Sequence, residues 1–300
     1  MFDFHSNHIL PIRLPIHFSD RSRFELIFAQ LGCSIYSVFS RIFLNVHTPQ
    51  FREKRNIKSR QKSQELDLQR MAQLEDLPDE MFEKVFSYLK IGDLLHWGQI
   101  SKRFRQIWII ESLWQSVDLN DLNHGRGRKV QTDFIIFLLE KGCKYLNLMN
   151  VELTGSLKLD QPSKLKGLNL QNCVAKREVL EEILYSCEGN LQQLSFDNVI
   201  TQPVFDYHYV RRVILRNSKT LLKINLGQFQ WLKETSHLNF FSHCQKLTEI
   251  AITEDLFVIR NDQLNLMIDY FPPSLLKVDL SLCNNLSDFH IENLTQKCNK

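Results

Sequence analysis

Seven cysteines and ten histidines are the side chains in this sequence best able to supply a nucleophile, a redox pair or a metal ligand. The cysteines are Cys33, Cys143, Cys173, Cys187, Cys244, Cys283 and Cys298, an odd number with no Cys-x-x-Cys pair. His243 and Cys244 are adjacent, but they cannot alone supply the four tetrahedral ligands of a structural zinc ion. The chain contains no Gly-x-x-x-x-Gly-Lys-Ser/Thr loop, no Gly-x-Ser-x-Gly elbow, no His-Glu-x-x-His pair and no Gly-x-Gly-x-x-Gly turn. The glycines of HGRGRK, residues 124–129, read as a loop without the preceding strand and following helix of a phosphate cradle. These patterns predict a non-catalytic protein with no metal and no cofactor. Its thiols are expected to be reduced and buried, which fits the cytoplasm or nucleus.

Three hundred residues with 43% hydrophobic content can bury a substantial core and predict about two structural units. The net charge of +3 is small for this size, so bulk electrostatics call for neither a nucleic acid nor a membrane partner. Charge is nevertheless uneven. Residues 1–72 hold eleven Lys+Arg against six Asp+Glu, an excess of +5, with a basic run from Arg52 to Lys62. The apolar stretch before that run, Phe24 to Val46, contains Glu25, Gln30 and Arg41 and is too polar for a membrane span. Residues 1–72 are expected to form a flexible basic arm. Its composition also leaves open a nuclear-localisation patch or a mitochondrial presequence.

From Leu74 to Trp114 the punctuation is helical. Asp76 can cap a helix with Pro78 in its first turn, and Asp79 and Glu80 complement the positive helix end. Leu77, Met81, Phe82, Val85, Phe86 and Leu89 recur at helical spacing. Gly92 is expected to break this helix, Asp93 to cap a short second one, and Ser101 a third carrying Phe104, Ile107 and Trp108 on one face. Three short helices cannot bury all these large side chains among themselves, so part of the apolar surface is expected to meet a partner.

The order LPDEMFEKVFSYLKIGDLL, then ISKRF, then ESLW resembles the F-box, with Phe104 where that family usually has Trp. The resemblance implies a short α-helical domain at residues 73–114 that docks on the Skp-family adaptor of an SCF ubiquitin ligase, and through it on cullin and RING subunits. Carried over position by position, the implied adaptor contacts are Leu77, Pro78, Met81, Phe82, Val85, Leu94, Leu95 and Ile100. Phe86, Leu89, Phe104, Ile107, Leu113 and Trp114 are expected as internal core as much as adaptor contact.

Residues 115–300 carry a repeat of the form Leu-x-x-Leu-x-Leu-x-x-Asn/Cys, with apolar substitutes at the Leu positions. Units start at 114, 143, 165, 191, 221, 247 and 275, separated by 29, 22, 26, 30, 26 and 28 residues. Segments such as KREVLEEILYSCEG and QLNLMIDYFPP between them read as helices. The expected fold class is α/β: the short F-box, then a leucine-rich-repeat horseshoe solenoid of about seven parallel strand-helix units. Cys173 and Cys283 fall at the inward-turning Asn/Cys position, while Cys187, Cys244 and Cys298 fall near helix ends.

Side chains alternate along a strand, so residues between the repeat leucines should line the concave face. That face is polar and of mixed sign, which suits a protein better than a nucleic-acid backbone. With the F-box anchoring one end, the middle and late units are expected to hold the target through Gln193, Ser195, Asp197, Lys223, Asn225, Glu249 and Lys277. The resemblance thus implies a substrate receptor that presents a target protein for ubiquitination and proteasomal degradation, closest to the S-phase kinase-associated, cell-cycle branch. A non-degradative F-box scaffold and a mitochondrial repeat-type assembly factor are the alternatives.

Overall fold

The computed structural model describes residues 77–98, 101–120, 128–204, 207–227, 235–252, 261–281 and 285–298. The basic arm, Asp76, Ile100 and Cys283 lie outside the described residues. The chain divides into two compact units, Met1–Tyr88 and Leu89–Lys300.

In the first unit, helix α1 spans Asp79–Phe86. Its Phe82, Val85 and Phe86 are buried at the i, i+3, i+4 spacing of one helical face, and the rings of Phe82 and Phe86 meet edge to face at 5.9 Å. Pro78 is not inside the first turn as expected but one position before it, where its carbonyl accepts from the Met81 and Phe82 N–H groups at 3.1 and 3.3 Å. Asp79 and Glu80 lie in the first turn, against the positive end of the helix.

The second unit opens with α2, Ile91–Trp97, and α3, Lys102–Trp108. Gly92 therefore does not break a helix. The first helix already ends at Phe86, and Gly92 lies in the first turn of the second, where it costs about 1 kcal/mol relative to alanine. Ser101 caps α3 as expected, its hydroxyl accepting from Phe104 N–H at 3.2 Å. Phe104 packs against Trp97 with ring centroids 5.4 Å apart. A 3-10 turn, Glu111–Trp114, then leads into the sheet.

That sheet has seven strands: β1 (Ser116–Asp118), β3 (Tyr145–Asn147), β5 (Gly167–Asn169), β7 (Gln193–Ser195), β9 (Lys223–Asn225), β10 (Glu249–Ala251) and β11 (Lys277–Asp279). They lie side by side in chain order and all pair in parallel, in the register Ser116, Tyr145, Gly167, Gln193, Lys223, Glu249, Lys277. Behind it run three columns of apolar side chains at the positions the repeat spacing marks. Leu165, Leu168 and Leu170 are one set, and Leu191, Leu194 and Phe196 the next, all buried. Burying one such side chain stabilises the fold by about 1.5–3 kcal/mol, so the repeated triplet is the main source of cohesion.

A second, four-stranded parallel sheet was not foreseen: β2 (Arg128–Gln131), β4 (Val151–Thr154), β6 (Val174–Lys176) and β8 (Ile200–Gln202). Arg128 and Lys129, read from sequence as loop, belong to its first strand. Helices α4 (Thr132–Glu140), α5 (Arg177–Ser186) and α6 (Tyr207–Arg216) follow β2, β6 and β8. A 3-10 segment, Thr235–His243, and α7 (Asn261–Tyr270) complete the later crossovers, and α8 (Asp288–Lys297) follows β11.

The chain passes between the two sheets through a ladder of asparagines. Asn150, Asn172 and Asn198 sit in the left-handed region at φ 59°, 54° and 49°. Each amide donates to the asparagine of the preceding unit: Asn150 to Asn120 at 3.1 Å, Asn172 to Asn150 at 3.0 Å, Asn198 to Asn172 at 2.7 Å. Asparagine suits this position because its short amide tolerates positive φ and can still hydrogen-bond sideways. Cys173, at the inward-turning position, is fully buried beside the ladder. Asn172→Ala is expected to cost about 2–4 kcal/mol, from two lost hydrogen bonds and a strained backbone. Asn172→Gly should recover about 1 kcal/mol of that. Urea unfolding of the three proteins checks this, and two variants as stable as the parent would exclude a structural role for the ladder.

Candidate functional site

The outward face of the seven-stranded sheet forms a depression of about 420 Å³. Two rows of side chains line it, because the middle residue of each strand turns inward. One row is Ser116, Tyr145, Gly167, Gln193, Lys223, Glu249 and Lys277, and the other is Asp118, Asn147, Asn169, Ser195, Asn225, Ala251 and Asp279.

The two rows differ in how free they are. In the second row, Asp118, Asn147, Asn169 and Asp279 each accept the backbone N–H two residues ahead, at 2.9–3.0 Å. These side chains turn the chain at the strand end, as Asp and Asn do in Asx turns. Asp279 also accepts the Ser281 hydroxyl. The hydrogen bonds from Ser281 hold its carboxyl below the usual range against the opposing effect of burial, with a lesser contribution from nearby Lys277. The first row has no such local duty. Within it Lys223 Nζ meets Glu249 Oε1 at 2.7 Å, and Lys277 is the strand neighbour of Glu249 on the other side. A half-exposed pair of this kind contributes about 0.2–1 kcal/mol, so an incoming charge can reorganise it at little cost.

Six of the seven residues expected to hold a target, Gln193, Ser195, Lys223, Asn225, Glu249 and Lys277, line this depression together. Asp197 does not. It lies past the end of β7, where its Oδ2 accepts the Gln171 amide at 3.0 Å and its main chain accepts Asn172 N–H. Burial pushes its carboxyl up in pKa and the Gln171 hydrogen bond opposes this, as expected of a carboxylate serving the turn. Asn225 Oδ1 is buried without a hydrogen-bond partner.

Tyr145 and Gly167, outside the set expected to hold a target, are the most distinctive part of the face. Tyr145 is 37% exposed, and its ring lies over Gly167, where an added Cβ would come within 2.6 Å of the ring Cδ1. The detectable signal was an aromatic residue in a row otherwise small or polar, followed by glycine at the matching position of the next unit.

Around α1 and α2 the expected adaptor contacts fall into two classes. Phe82, Val85 and Leu94 are buried and fill the fold rather than display themselves. In the first unit Leu77 and Met81 are half-buried and Pro78 is exposed, and in the second unit Leu95 is half-buried. Ile100 lies outside the described residues. Of the residues expected as core or contact, Phe86, Phe104, Ile107, Leu113 and Trp114 are buried, whereas Leu89 is half-buried.

Burial pushes the thiols of Cys173, Cys187 and Cys244 up to about 12 and that of Cys143 to about 11, so none is a thiolate at neutral pH. Among the described residues no group of three or more His, Cys, Asp or Glu could hold a metal ion. None of the described helices is long and apolar enough to cross a membrane. Residues 74–120 match a protein-family model described as F-box-like. F-box domains generally bind Skp-family adaptors, and the match takes in Leu77, Pro78, Met81 and Leu95.

Proposed function

We propose that this chain, with its F-box-like domain at residues 74–120, is a substrate-recognition subunit of an SCF ubiquitin ligase. The F-box-like match carries this reading. Leu77, Pro78, Met81 and Leu95 engage a Skp-family adaptor, which brings the cullin and RING subunits. The seven parallel units are leucine-rich repeats forming a horseshoe, and their outward face holds a target protein for ubiquitination and proteasomal degradation, in the manner of the cell-cycle branch. The protein performs no chemistry itself and acts in the cytoplasm or nucleus. A lined depression of mixed charge on the sheet supports the target-binding half, since protein partners are recognised by complementary pairs with little net field.

Affinity capture of the full chain from cells tests this. Recovery of the adaptor together with cullin is the expected result. Adaptor without cullin would point instead to a scaffold outside ubiquitination, and absence of the adaptor would remove the reading altogether.

A further inference from the structure

We propose that Tyr145 and Asp118, on the first strands of the sheet, form the anchor of the outward face and take the cationic side chain of an arginine or lysine in an extended segment of the target. This rests on the target-binding role above and moves the anchor away from the middle and late units.

Tyr145 is the one aromatic residue in the two rows lining the depression. Its neighbours in register are the smallest of the first row, Ser116 on β1 and Gly167 on β5. The ring rests on Gly167, whose missing side chain makes room for it: an added Cβ would lie 2.6 Å from Cδ1 and 3.3 Å from Cε1. The result is a supported aromatic surface that stays open to solvent. A cation held within about 6 Å of such a ring is attracted by its quadrupole, and arginine also stacks on it.

Asp118 supplies the matching charge. It lies on the strand beside Tyr145, two residues beyond Ser116, and both face the depression. With parallel strands about 4.8 Å apart and a rise of about 3.3 Å per residue, the two backbone positions lie about 8 Å apart, so an extended arginine side chain between their side chains can meet both. Its Oδ1 accepts Asn120 N–H at 2.9 Å, which orients the carboxylate and leaves Oδ2 for a ligand. The depression as a whole has three carboxylates, Asp118, Glu249 and Asp279, against two lysines, a balance of −1, and Lys223 is already closed on Glu249. An acidic side chain would be repelled at this end, and an aromatic one would gain nothing from Asp118.

The probe is a display library of random twelve-residue peptides selected on the purified full chain, followed by affinity measurement of a selected arginine peptide. The expected selection enriches Arg or Lys, and Asp118→Asn weakens the peptide at least tenfold. Asparagine can still accept the Asn120 N–H, so the turn is kept while the charge is lost. Tyr145→Phe should bind like the parent, whereas Tyr145→Ala and Gly167→Ala, which removes or displaces the ring, should weaken binding by a similar factor. Raising the salt should weaken the parent but not Asp118→Asn. Selection of acidic or aromatic residues, no selection at all, or an unchanged affinity in Asp118→Asn overturns the proposal. Adaptor capture on the same preparations separates the two claims: its failure with the arginine preference intact removes the ligase reading alone, and the reverse removes only this anchor.

Discussion

Replacing Leu77 and Pro78 together by alanine is expected to weaken capture of a Skp-family adaptor by at least a hundredfold while leaving the melting temperature of the chain nearly unchanged. The residues are chosen for their exposure. Leu77 is half-buried and Pro78 exposed, just before α1, and Met81 continues the same edge one turn on. Apolar anchors of this kind, when desolvated at the centre of an interface, cost about 2–4 kcal/mol on truncation. About 2.8 kcal/mol corresponds to the hundredfold loss. Phe82→Ala would be the wrong test, because that side chain is 1% exposed and its removal costs about 3–5 kcal/mol of folding stability. Loss of binding in that variant would not separate contact from collapse. Titration calorimetry with the purified adaptor, beside a thermal melt, reads both quantities. Binding retained at the parent level by the double variant would remove the proposed adaptor contact.

The same distinction between displaying and filling explains what the sequence made legible. The repeated apolar triplet could be read because it reports a local rule, alternation along a short strand, and each marked position from Leu165 to Phe196 is buried. Ser101 could be read because a cap is decided within four residues. Gly92 misled because a glycine is a statistical breaker, whereas the end of α1 at Phe86 and the start of α2 at Ile91 are set by packing the sequence does not display. The four-stranded sheet has strands of only three or four residues with no long apolar alternation, so it is visible only once the first sheet has aligned the units. Asp197 satisfied the alternation count but lies beyond the strand, where the chain has already turned toward the Asn198 step of the ladder. Tyr145 was missed for the opposite reason. Its position was read correctly, but its significance depends on Gly167 two strands away in sequence order and adjacent in space.

Trp114 carries the largest expected effect on stability. Its side chain is fully buried, and its indole N–H donates to the Trp108 carbonyl at 2.7 Å. Its ring meets Trp108 at 5.0 Å, Phe137 at 5.2 Å and Phe134 at 6.3 Å, while Trp108 stacks on Phe137 at 4.9 Å. The last aromatic of the F-box-like segment is therefore packed on α4, which belongs to the repeat region. Trp114→Ala removes a large buried side chain with three ring contacts and should cost about 4–5 kcal/mol. At roughly 2–4 °C per kcal/mol for a unit of this size, the melting temperature should fall by about 10–15 °C. Trp114→Phe keeps a ring but leaves the Trp108 carbonyl without its donor, and should cost about 1–3 kcal/mol. The packing also bears on the boundary at residues 114/115 that the sequence pattern marks. A chain beginning at Gln115 would leave Phe134 and Phe137 without both tryptophans, so it should bind an apolar dye and aggregate where a chain beginning at Leu89 stays dispersed. Melting of Trp114→Ala within 2 °C of the parent, or a well-dispersed fragment from Gln115, would show that the aromatic cluster is not what closes this end of the repeats.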